Sequence, residues 1–150
     1  MKSINKVYID VCTLCRPFDD QDVMRIRLET DAYYLILQAI QNKKYEMVVS
    51  PVHLEEINAI EDVQERYEIL ALIKRFGVTA KCNLSKTRER AEYFYSKKLG
   101  VADSAHLAFA EATADFFITC DDKLINKCHK IPIQLDIANP VGFAAKEDLK

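Results

Sequence analysis

The stretch GVADSAHLAFAEATADFFITCDDKLI, residues 100–125, decides the fold. Its first part, residues 101–114, has the spacing of a helix that Asp103 caps or that starts just before Asp103. DFFIT, residues 115–119, is short and apolar and predicts a buried strand, after which DKLINKC, residues 122–128, predicts a short helix. A helix, a strand and a second helix in direct succession are typical of an α/β protein.

The same alternation extends over the rest of the chain. Further strands are predicted at VYIDV, YEMVVS and IPIQLDI, with a weak strand or connection at VTAKCNL, residues 7–11, 45–50, 131–137 and 78–84. Helices are predicted over residues 22–42 and from Ser85 to Gly100. Between them, one helix is predicted to begin at Pro51 behind a Ser50 cap. After an acidic break, another is predicted to stop at Gly77. We therefore predict an α/β fold with a mainly parallel sheet and, since no repeat or linker interrupts it, a single domain over residues 1–150.

Composition limits the classes of protein that the chain can belong to. It has 150 residues, a formal net charge of −2 and no apolar run near the ~20 residues that span a bilayer. The first residues lack the apolar core of a signal peptide. We therefore expect a cytoplasmic protein with no membrane partner, whose five cysteines are reduced core residues. Because the net charge is near zero, any surface for nucleic acid must be local.

Acidic residues follow or flank the predicted strands. Asp10 closes the first strand, Asp121 comes just after DFFIT, and Glu55 or Glu56 lies early in the helix after MVVS. Asp103 lies at the start of its helix. Because ligands gather at the carboxyl ends of parallel strands, these carboxylates are expected to converge.

Converging carboxylates require a compensating positive charge. Two carboxylates ~4 Å apart repel by about 4 kcal/mol at an effective dielectric near 20. Mg²⁺ or Mn²⁺ prefers such oxygen ligands, and either could activate water and neutralise a phosphate. The pattern thus favours phosphodiester hydrolysis. Helix capping by Asp103, and a turn or cap role for Asp121 and Asp122, remain the alternatives.

These motifs resemble those of the PIN-domain nucleases, including the toxin ribonucleases of VapC type. Residues 100–125 are similar to the late acidic motif of that family, with matches at Asp103, His106, Ala108, Ala110, Thr119 and Asp121. VYIDVCTLCR resembles the opening strand with its first acid, Asp10. VVSPVHLEEI resembles the second motif, in which the spacing from Ser50 selects Glu56, and LDIANPVGF resembles the last strand.

The resemblance implies a PIN-like three-layer α/β/α sandwich and an Mg²⁺- or Mn²⁺-dependent endoribonuclease, the toxin of a toxin–antitoxin pair. Asp10, Asp103 and Asp121 would hold the metal ion directly or through water, and Glu56 would complete the acidic rim. Thr119 would support the ligands by hydrogen bonding, with Asp122 as an additional acid. The implied partners are RNA, an antitoxin protein and a second copy of the chain.

One departure from the family pattern keeps a second class of function open. The family often has Thr-Asn or Thr-Ser after the first acid, whereas this chain has Val11-Cys12. A catalytically weak or inactive module that binds RNA or protein is therefore the alternative. Cys12 and Cys15 form a C-T-L-C pattern after a strand, which leaves a thiol oxidoreductase as a third hypothesis. The spacing of Cys120, Cys128 and His129 matches no zinc finger.

Local basic groups are the candidate RNA contacts. Residues 81–98 carry six Lys or Arg against two Glu, with Tyr93, Phe94 and Tyr95 between them, a composition that suits phosphate contacts and base stacking. A solvated helix face with core aromatic residues is the alternative. The predicted RNA-binding residues are Arg16, Lys86, Arg88 and Arg90. His106, one helical turn after Asp103, is expected to be a packed, hydrogen-bonded residue.

Overall fold

A computed structural model describes residues 3–150 as one α/β structure. Within this range the strands are β1 (Asn5–Ile9), β2 (Tyr45–Val49), β3 (Gly77–Thr79), β4 (Phe116–Ile118) and β5 (Asp136–Ala138). The helices are α1 (Val11–Leu14), α2 (Met24–Gln41), α3 (Pro51–Asn58), α4 (Val63–Phe76), α5 (Leu84–Ser96), α6 (Val101–Thr113), α7 (Asp122–Cys128) and α8 (Pro140–Lys146). A short 3₁₀ helix, Arg16–Phe18, follows α1.

All five strands form one parallel sheet in the order β3-β2-β1-β4-β5. Ile9 at the end of β1 is in register with Ile118 at the end of β4, so the carboxyl ends of these two strands are adjacent. The chain fills one side of β1 with β2 and β3 before it crosses to β4 and β5. This order confirms the predicted α/β class and creates a topological switch point between β1 and β4, where ligands bind in open α/β sheets.

Helices cover both faces of the sheet, because alternate side chains of each strand point to opposite faces. On one face Val7, Ile9 and Met47 pack against a cluster that includes residues of α2, α3, α4 and α8. On the other face Tyr8 and Phe117 pack against α5, α6 and α7. The result is the predicted three-layer α/β/α arrangement, with the C-terminal residues of β1 and β4 buried.

Several predicted boundaries were wrong. β1 begins at Asn5 rather than Val7 and ends at Ile9, one residue before the predicted end near Asp10, because Asp10 caps α1. α5 is capped by Asn83 and ends at Ser96, before Gly100, which is the N-cap of α6. Asp103 therefore lies in the first turn of α6 and is not its cap.

The last part of the chain differs most from the prediction. β5 contains only Asp136–Ala138, because the upstream apolar residues of IPIQLDI, Ile131, Ile133 and Leu135, pack against the core without pairing as a strand. After β5 the structure has a helix, α8, that the sequence analysis did not predict. Asn139 caps this helix by accepting a hydrogen bond from the N–H of Gly142 at 2.7 Å, and Pro140 occupies its first turn. No helix formed by residues 3–150 is long and apolar enough to cross a bilayer.

Candidate functional site

Asp10 lies directly after β1 at the switch point and is held by the first turn of α1. Its Oδ1 accepts hydrogen bonds from the N–H of Thr13 at 3.1 Å and from Thr13 Oγ1 at 2.7 Å. Its Oδ2 accepts a hydrogen bond from the thiol of Cys12 at 3.0 Å. Asp10 is only 7% exposed, and this burial raises its pKa, against the opposite effect of the hydrogen bonds. The thiol of Cys12 and the hydroxyl of Thr13 thus supply polar contacts to the first acid despite the Val11-Cys12 departure.

Asp121 and Asp122 have different contacts at the end of β4. Asp121 is the N-cap of α7, since its Oδ1 accepts a hydrogen bond from the N–H of Leu124 at 3.1 Å. Asp122 is the first residue of α7 and forms an ion pair with Arg25 at 2.6 Å, which lowers the pKa of Asp122. Asp122 is therefore the first residue of α7 and not its cap, because the cap is Asp121. Both roles suit an acid at a helix N-terminus.

Thr119 links the two strand ends. It is fully buried, and its Oγ1 accepts a hydrogen bond from the N–H of Asp121 at 3.1 Å. The same oxygen lies 3.7 Å from the sulfur of Cys12. Thr119 is therefore located between the residues that hold Asp10 and the segment that carries Asp121.

Asp103 shows that the four predicted acids lie within electrostatic range of one another. Burial raises its pKa first, and the charges of Asp121, Asp10 and Glu56 raise it further. No hydrogen bond within residues 3–150 offsets these effects, although the nearby His106 lowers the pKa of Asp103 in part. Asp103 on α6 therefore lies within electrostatic range of the N-cap of α1, of α3 and of the N-cap of α7.

Glu56 is bound to a buried polar network. Its Oε1 is in short contact with His106 Nε2, and this hydrogen bond lowers the pKa of Glu56. The other ring nitrogen of His106, Nδ1, lies 2.5 Å from the hydroxyl of Tyr8, which lies 2.7 Å from Ser50 Oγ. The sequence had marked Ser50 as a helix cap and His106 as a packed residue. It gave no indication of Tyr8, which looks like any apolar residue of a buried strand.

His53 completes the surroundings of this network. Its Nδ1 accepts a hydrogen bond from the N–H of Ser50 at 3.0 Å, and its Nε2 donates to the carbonyl of Ile9. Burial, followed by the neighbouring His106, lowers the pKa of His53 to about 4. His53 is therefore neutral at pH 7 and is a buried, packed residue whose ring also forms polar contacts beside the site.

Three of the four predicted RNA contacts already have acidic partners, and that of Arg88 is Glu92, at 3.3 Å on the exposed surface of α5. Arg16 donates hydrogen bonds to Asp19 at 2.8 Å and to the buried Glu29 at 3.0 Å. Arg90 donates two hydrogen bonds to Glu111, at 2.7 and 3.0 Å. The guanidinium groups of Arg16 and Arg90 are thus used to balance acids of the protein itself.

The predicted contacts Lys86 and Arg88 lie on α5. Lys86 lines a cavity beside Ala108 and Glu111, in the C-terminal half of α6, which lies roughly 12 Å along that helix from its first turn. Arg88 is exposed and lines a shallow cavity with Tyr95 and Ser104, next to Asp103. Arg88 therefore lies beside the first half of α6, and Lys86 beside its second half.

Arg25 is the basic residue near the site that sequence reasoning missed. Besides its ion pair with Asp122, it donates a hydrogen bond to the carbonyl of Cys120 at 3.4 Å. It is 97 residues from Asp122 in the sequence, so no local pattern connects the two.

The cysteine hypotheses have no geometric support within residues 3–150. The thiol of Cys12 donates a hydrogen bond to Asp10. The pKa of Cys12 is raised, first by its interaction with the Cys120 thiol. Burial raises the pKa of Cys15 to about 12. Neither thiol of the C-T-L-C pattern is activated toward the thiolate that redox chemistry needs.

The donor chemistry of the site fits a hard divalent cation. No group of three or more His, Cys, Asp or Glu side chains in the described part of the chain is already gathered into a metal-binding arrangement. All four candidate ligands are nevertheless carboxylates, which Mg²⁺ and Mn²⁺ prefer. Burial is the first cause of the raised pKa of Asp103, and a cation would remove the part that comes from repulsion by Asp121, Asp10 and Glu56.

Comparison with known proteins supports the fold. No protein-family model matches the chain, and no curated protein is similar to it in sequence. Among solved structures, VapBC2 from Rickettsia felis, bound to a DNA fragment from their promoter, matches 89% of this chain and 98% of its own with 15% identity and a TM-score of 0.58. FitAcB from Neisseria gonorrhoeae matches 89% and 97% with 16% identity and a TM-score of 0.51. FitAB bound to an IR36 DNA fragment matches 90% and 95% with 16% identity and a TM-score of 0.51.

At these identities the similarity is one of fold, over nearly the full length of both chains. It confirms the PIN-like fold class that the sequence predicted.

Proposed function

We propose that this chain is an Mg²⁺- or Mn²⁺-dependent endoribonuclease that hydrolyses phosphodiester bonds at the switch point between β1 and β4. The observation that carries the proposal is the position of Asp103, whose pKa is raised by burial and then by the charges of three other carboxylates, Asp121, Asp10 and Glu56. Carboxylates held close together repel one another unless a positive charge compensates them. Carboxylates with such perturbed pKa values are found mostly at functional sites.

Each carboxylate has a distinct role in the proposed site. Asp10, Asp103 and Asp121 would hold the cation, which would supply an activated water and neutralise charge on the phosphate. Asp10 and Asp121 are oriented by hydrogen bonds to their own helix termini, from the N–H groups of Thr13 and Leu124. Glu56 is oriented by His106, and Thr119 supports the backbone of Asp121.

RNA contacts are proposed at the edges of the site. Arg88 and Tyr95, beside Ser104, offer a guanidinium and an aromatic face for a phosphate and a base. On the opposite side Arg25 can exchange Asp122 for an RNA phosphate, because an exposed ion pair is weak.

The proposal extends to partners on the strength of the resemblance to VapC-type toxins and of the PIN-like fold. We infer an antitoxin protein as a partner and a homodimer as the assembled form. Exposed apolar side chains on α2 and α4, among them Met24 and Tyr67, offer surface for such contacts. Size-exclusion chromatography with light scattering would test the dimer, and co-expression with the adjacent open reading frame would test the antitoxin.

The central experiment compares cleavage of a labelled RNA by the wild type and by Asp103→Asn, with and without Mn²⁺. We expect metal-dependent products ending in a 5′-phosphate and a 3′-hydroxyl for the wild type only. RNA that stays intact with every divalent cation, although the protein is folded, would contradict the proposal. Binding of RNA that is independent of metal and yields no products would favour the inactive RNA-binding module instead.

A further inference from the structure

A continuous chain of hydrogen bonds leads from the centre of the sheet to the acidic site. It runs from Ser50 Oγ to the Tyr8 hydroxyl, from there to His106 Nδ1, and from His106 Nε2 to Glu56 Oε1. Tyr8, Ser50 and His106 are at most 3% exposed, whereas Glu56 is partly exposed. The members come from β1, the cap of α3, α6 and α3 itself, so the chain exists only in the folded sheet.

The direction of each hydrogen bond follows from the groups involved. The hydrogen bond from His106 lowers the pKa of Glu56, so Glu56 is an ionised acceptor at neutral pH and His106 Nε2 must be the donor. We assign the Nε2–H tautomer to His106, in which Nδ1 has no hydrogen and accepts from the Tyr8 hydroxyl. The Tyr8 oxygen in turn accepts from the hydroxyl of Ser50.

His53 closes the inner end of the chain without adding a charge. Its Nε2 donates to the carbonyl of Ile9, so its Nδ1 is an acceptor, which matches the N–H of Ser50 at 3.0 Å. Its ring centroid lies 4.4 Å from that of Tyr8 and 5.1 Å from that of His106. The surrounding packing thus restrains the rings of Tyr8 and His106. Every buried nitrogen and hydroxyl in this series of hydrogen bonds has a partner.

A tyrosine hydroxyl in this place has no contact with solvent or with the acids. A phenylalanine would fill the same volume without the cost of burying a hydroxyl. The Tyr8 hydroxyl donates a hydrogen bond to His106 Nδ1. This bond favours the tautomer in which the ring hydrogen is on Nε2, the nitrogen that contacts Glu56. That donor engages only Oε1 of Glu56, so Oε2 has no hydrogen bond within residues 3–150.

We propose that Tyr8 and His106 are positioning residues that fix the orientation of the Glu56 carboxylate and hold Oε2 ready for a divalent cation or its water. This inference rests on the proposed metal-dependent function and assigns a role to two residues that do not themselves touch the cation. Hydrogen-bond partners of metal ligands commonly change metal affinity by 10–100-fold when they are removed.

The test uses Tyr8→Phe, with Tyr45→Phe as the matched control. Tyr45 is also a buried strand tyrosine, but its hydroxyl donates to Glu147, which is not one of the four site acids. We expect Tyr8→Phe to weaken Mn²⁺ binding by about tenfold, measured by electron paramagnetic resonance of free Mn²⁺, because Glu56 loses its orientation. Tyr45→Phe should lower the melting temperature without changing Mn²⁺ affinity. Equal Mn²⁺ affinity in Tyr8→Phe and the wild type, or an equal loss in both variants, would overturn the proposal.

Two further measurements separate this proposal from the proposed nuclease activity. ¹⁵N NMR should show the hydrogen on Nε2 of His106 in the wild type, with mixed tautomers in Tyr8→Phe. An Nδ1–H tautomer in the wild type would overturn the hydrogen-bond order. His106→Gln, whose amide can still donate toward Glu56, should retain more Mn²⁺ affinity than His106→Ala. If Mn²⁺ binding shows these differences but no RNA is cleaved, the positioning role stands and only the nuclease activity fails. A wild type that binds no Mn²⁺ overturns both.

Discussion

Asp10→Asn separates the catalytic role of the first acid from its structural role. Asn has nearly the same shape as Asp and is an equally good N-cap, so its carbonyl oxygen can still accept hydrogen bonds from Thr13. Its amide nitrogen would face the sulfur of Cys12. The variant therefore changes the charge at the switch point and little else.

The sign of the stability change follows from the pKa of Asp10. Because that pKa is raised in the folded protein, folding favours the neutral carboxyl, and the metal-free protein loses stability as pH rises through the folded-state pKa. Loss of charge weakens three hydrogen bonds by about 1 kcal/mol each, but the burial cost that it removes is larger, as the direction of the pKa shows. A neutral side chain should thus leave the melting temperature at pH 7 unchanged or higher, at about 2–4 °C per kcal/mol for a chain of this size.

The effect on catalysis should be large and opposite. A bound metal ion supplies several kcal/mol of transition-state stabilisation, so the loss of one ligand worth ~3 kcal/mol lowers kcat by about 100-fold or more. The assays are RNA cleavage with Mn²⁺ and thermal unfolding without metal, with Asp31→Asn, an exposed carboxylate on α2, as the control. Full cleavage activity in Asp10→Asn would remove this residue from the site. A marked loss of stability at pH 7 would refute the burial argument.

Three other predictions test neighbouring parts of the site. Asp121→Asn keeps the cap of α7 but should lower RNA cleavage by ~100-fold, because a proposed metal ligand is lost. Asp122→Asn loses only an exposed ion pair and should cleave RNA within a few-fold of the wild-type rate. Equal losses in both variants would contradict the different roles of the two acids. Cys12→Ser retains a donor to Asp10 and should keep most activity, while Cys12→Val should lose about tenfold in kcat; equal rates would show that this donor is dispensable. The pKa of buried His53, lowered from about 6.5 to about 4, implies stability that is present above pH 6.5 and is lost as pH falls towards 4, amounting to about 3 kcal/mol. Urea unfolding at pH 7 and pH 4.5 should show this loss for the wild type and a smaller one for His53→Gln.

The strands and the acids after them could be predicted because their signals are local. VYI and FFI, residues 7–9 and 116–118, are apolar runs that a polar residue follows, and parallel α/β topology then places both ends at one edge of the sheet. The errors arose where apolar residues pack without strand pairing, as at Ile133 and Leu135. The N-terminus of α8 carries an Asn-Pro cap signal, but a seven-residue helix gives little periodicity.

The polar partners of the acids could not be predicted, because they depend on contacts between distant segments. Tyr8 meets His106 across 98 positions, and His106 meets Glu56 across 50. Arg16 looked like a free cation beside Asp10, whereas the fold buries Glu29 against it. A sequence pattern can indicate which residues are charged, but the register of helices on the sheet decides which charges are already paired.

The four acids differ in how firmly the protein holds them, and this difference has a consequence for the site. Asp10, Asp121 and Glu56 each accept hydrogen bonds that fix one oxygen or both, from the first turn of α1, the first turn of α7 and His106. Asp103 has no such bond within residues 3–150, and its pKa responds to the other three charges. A carboxylate without fixed partners can rotate toward a cation at little cost, whereas the fixed carboxylates define where that cation must lie. In the proposed metal site, the three oriented acids would define the position of the cation and Asp103 would adjust to it, which would combine preorganisation with adaptability.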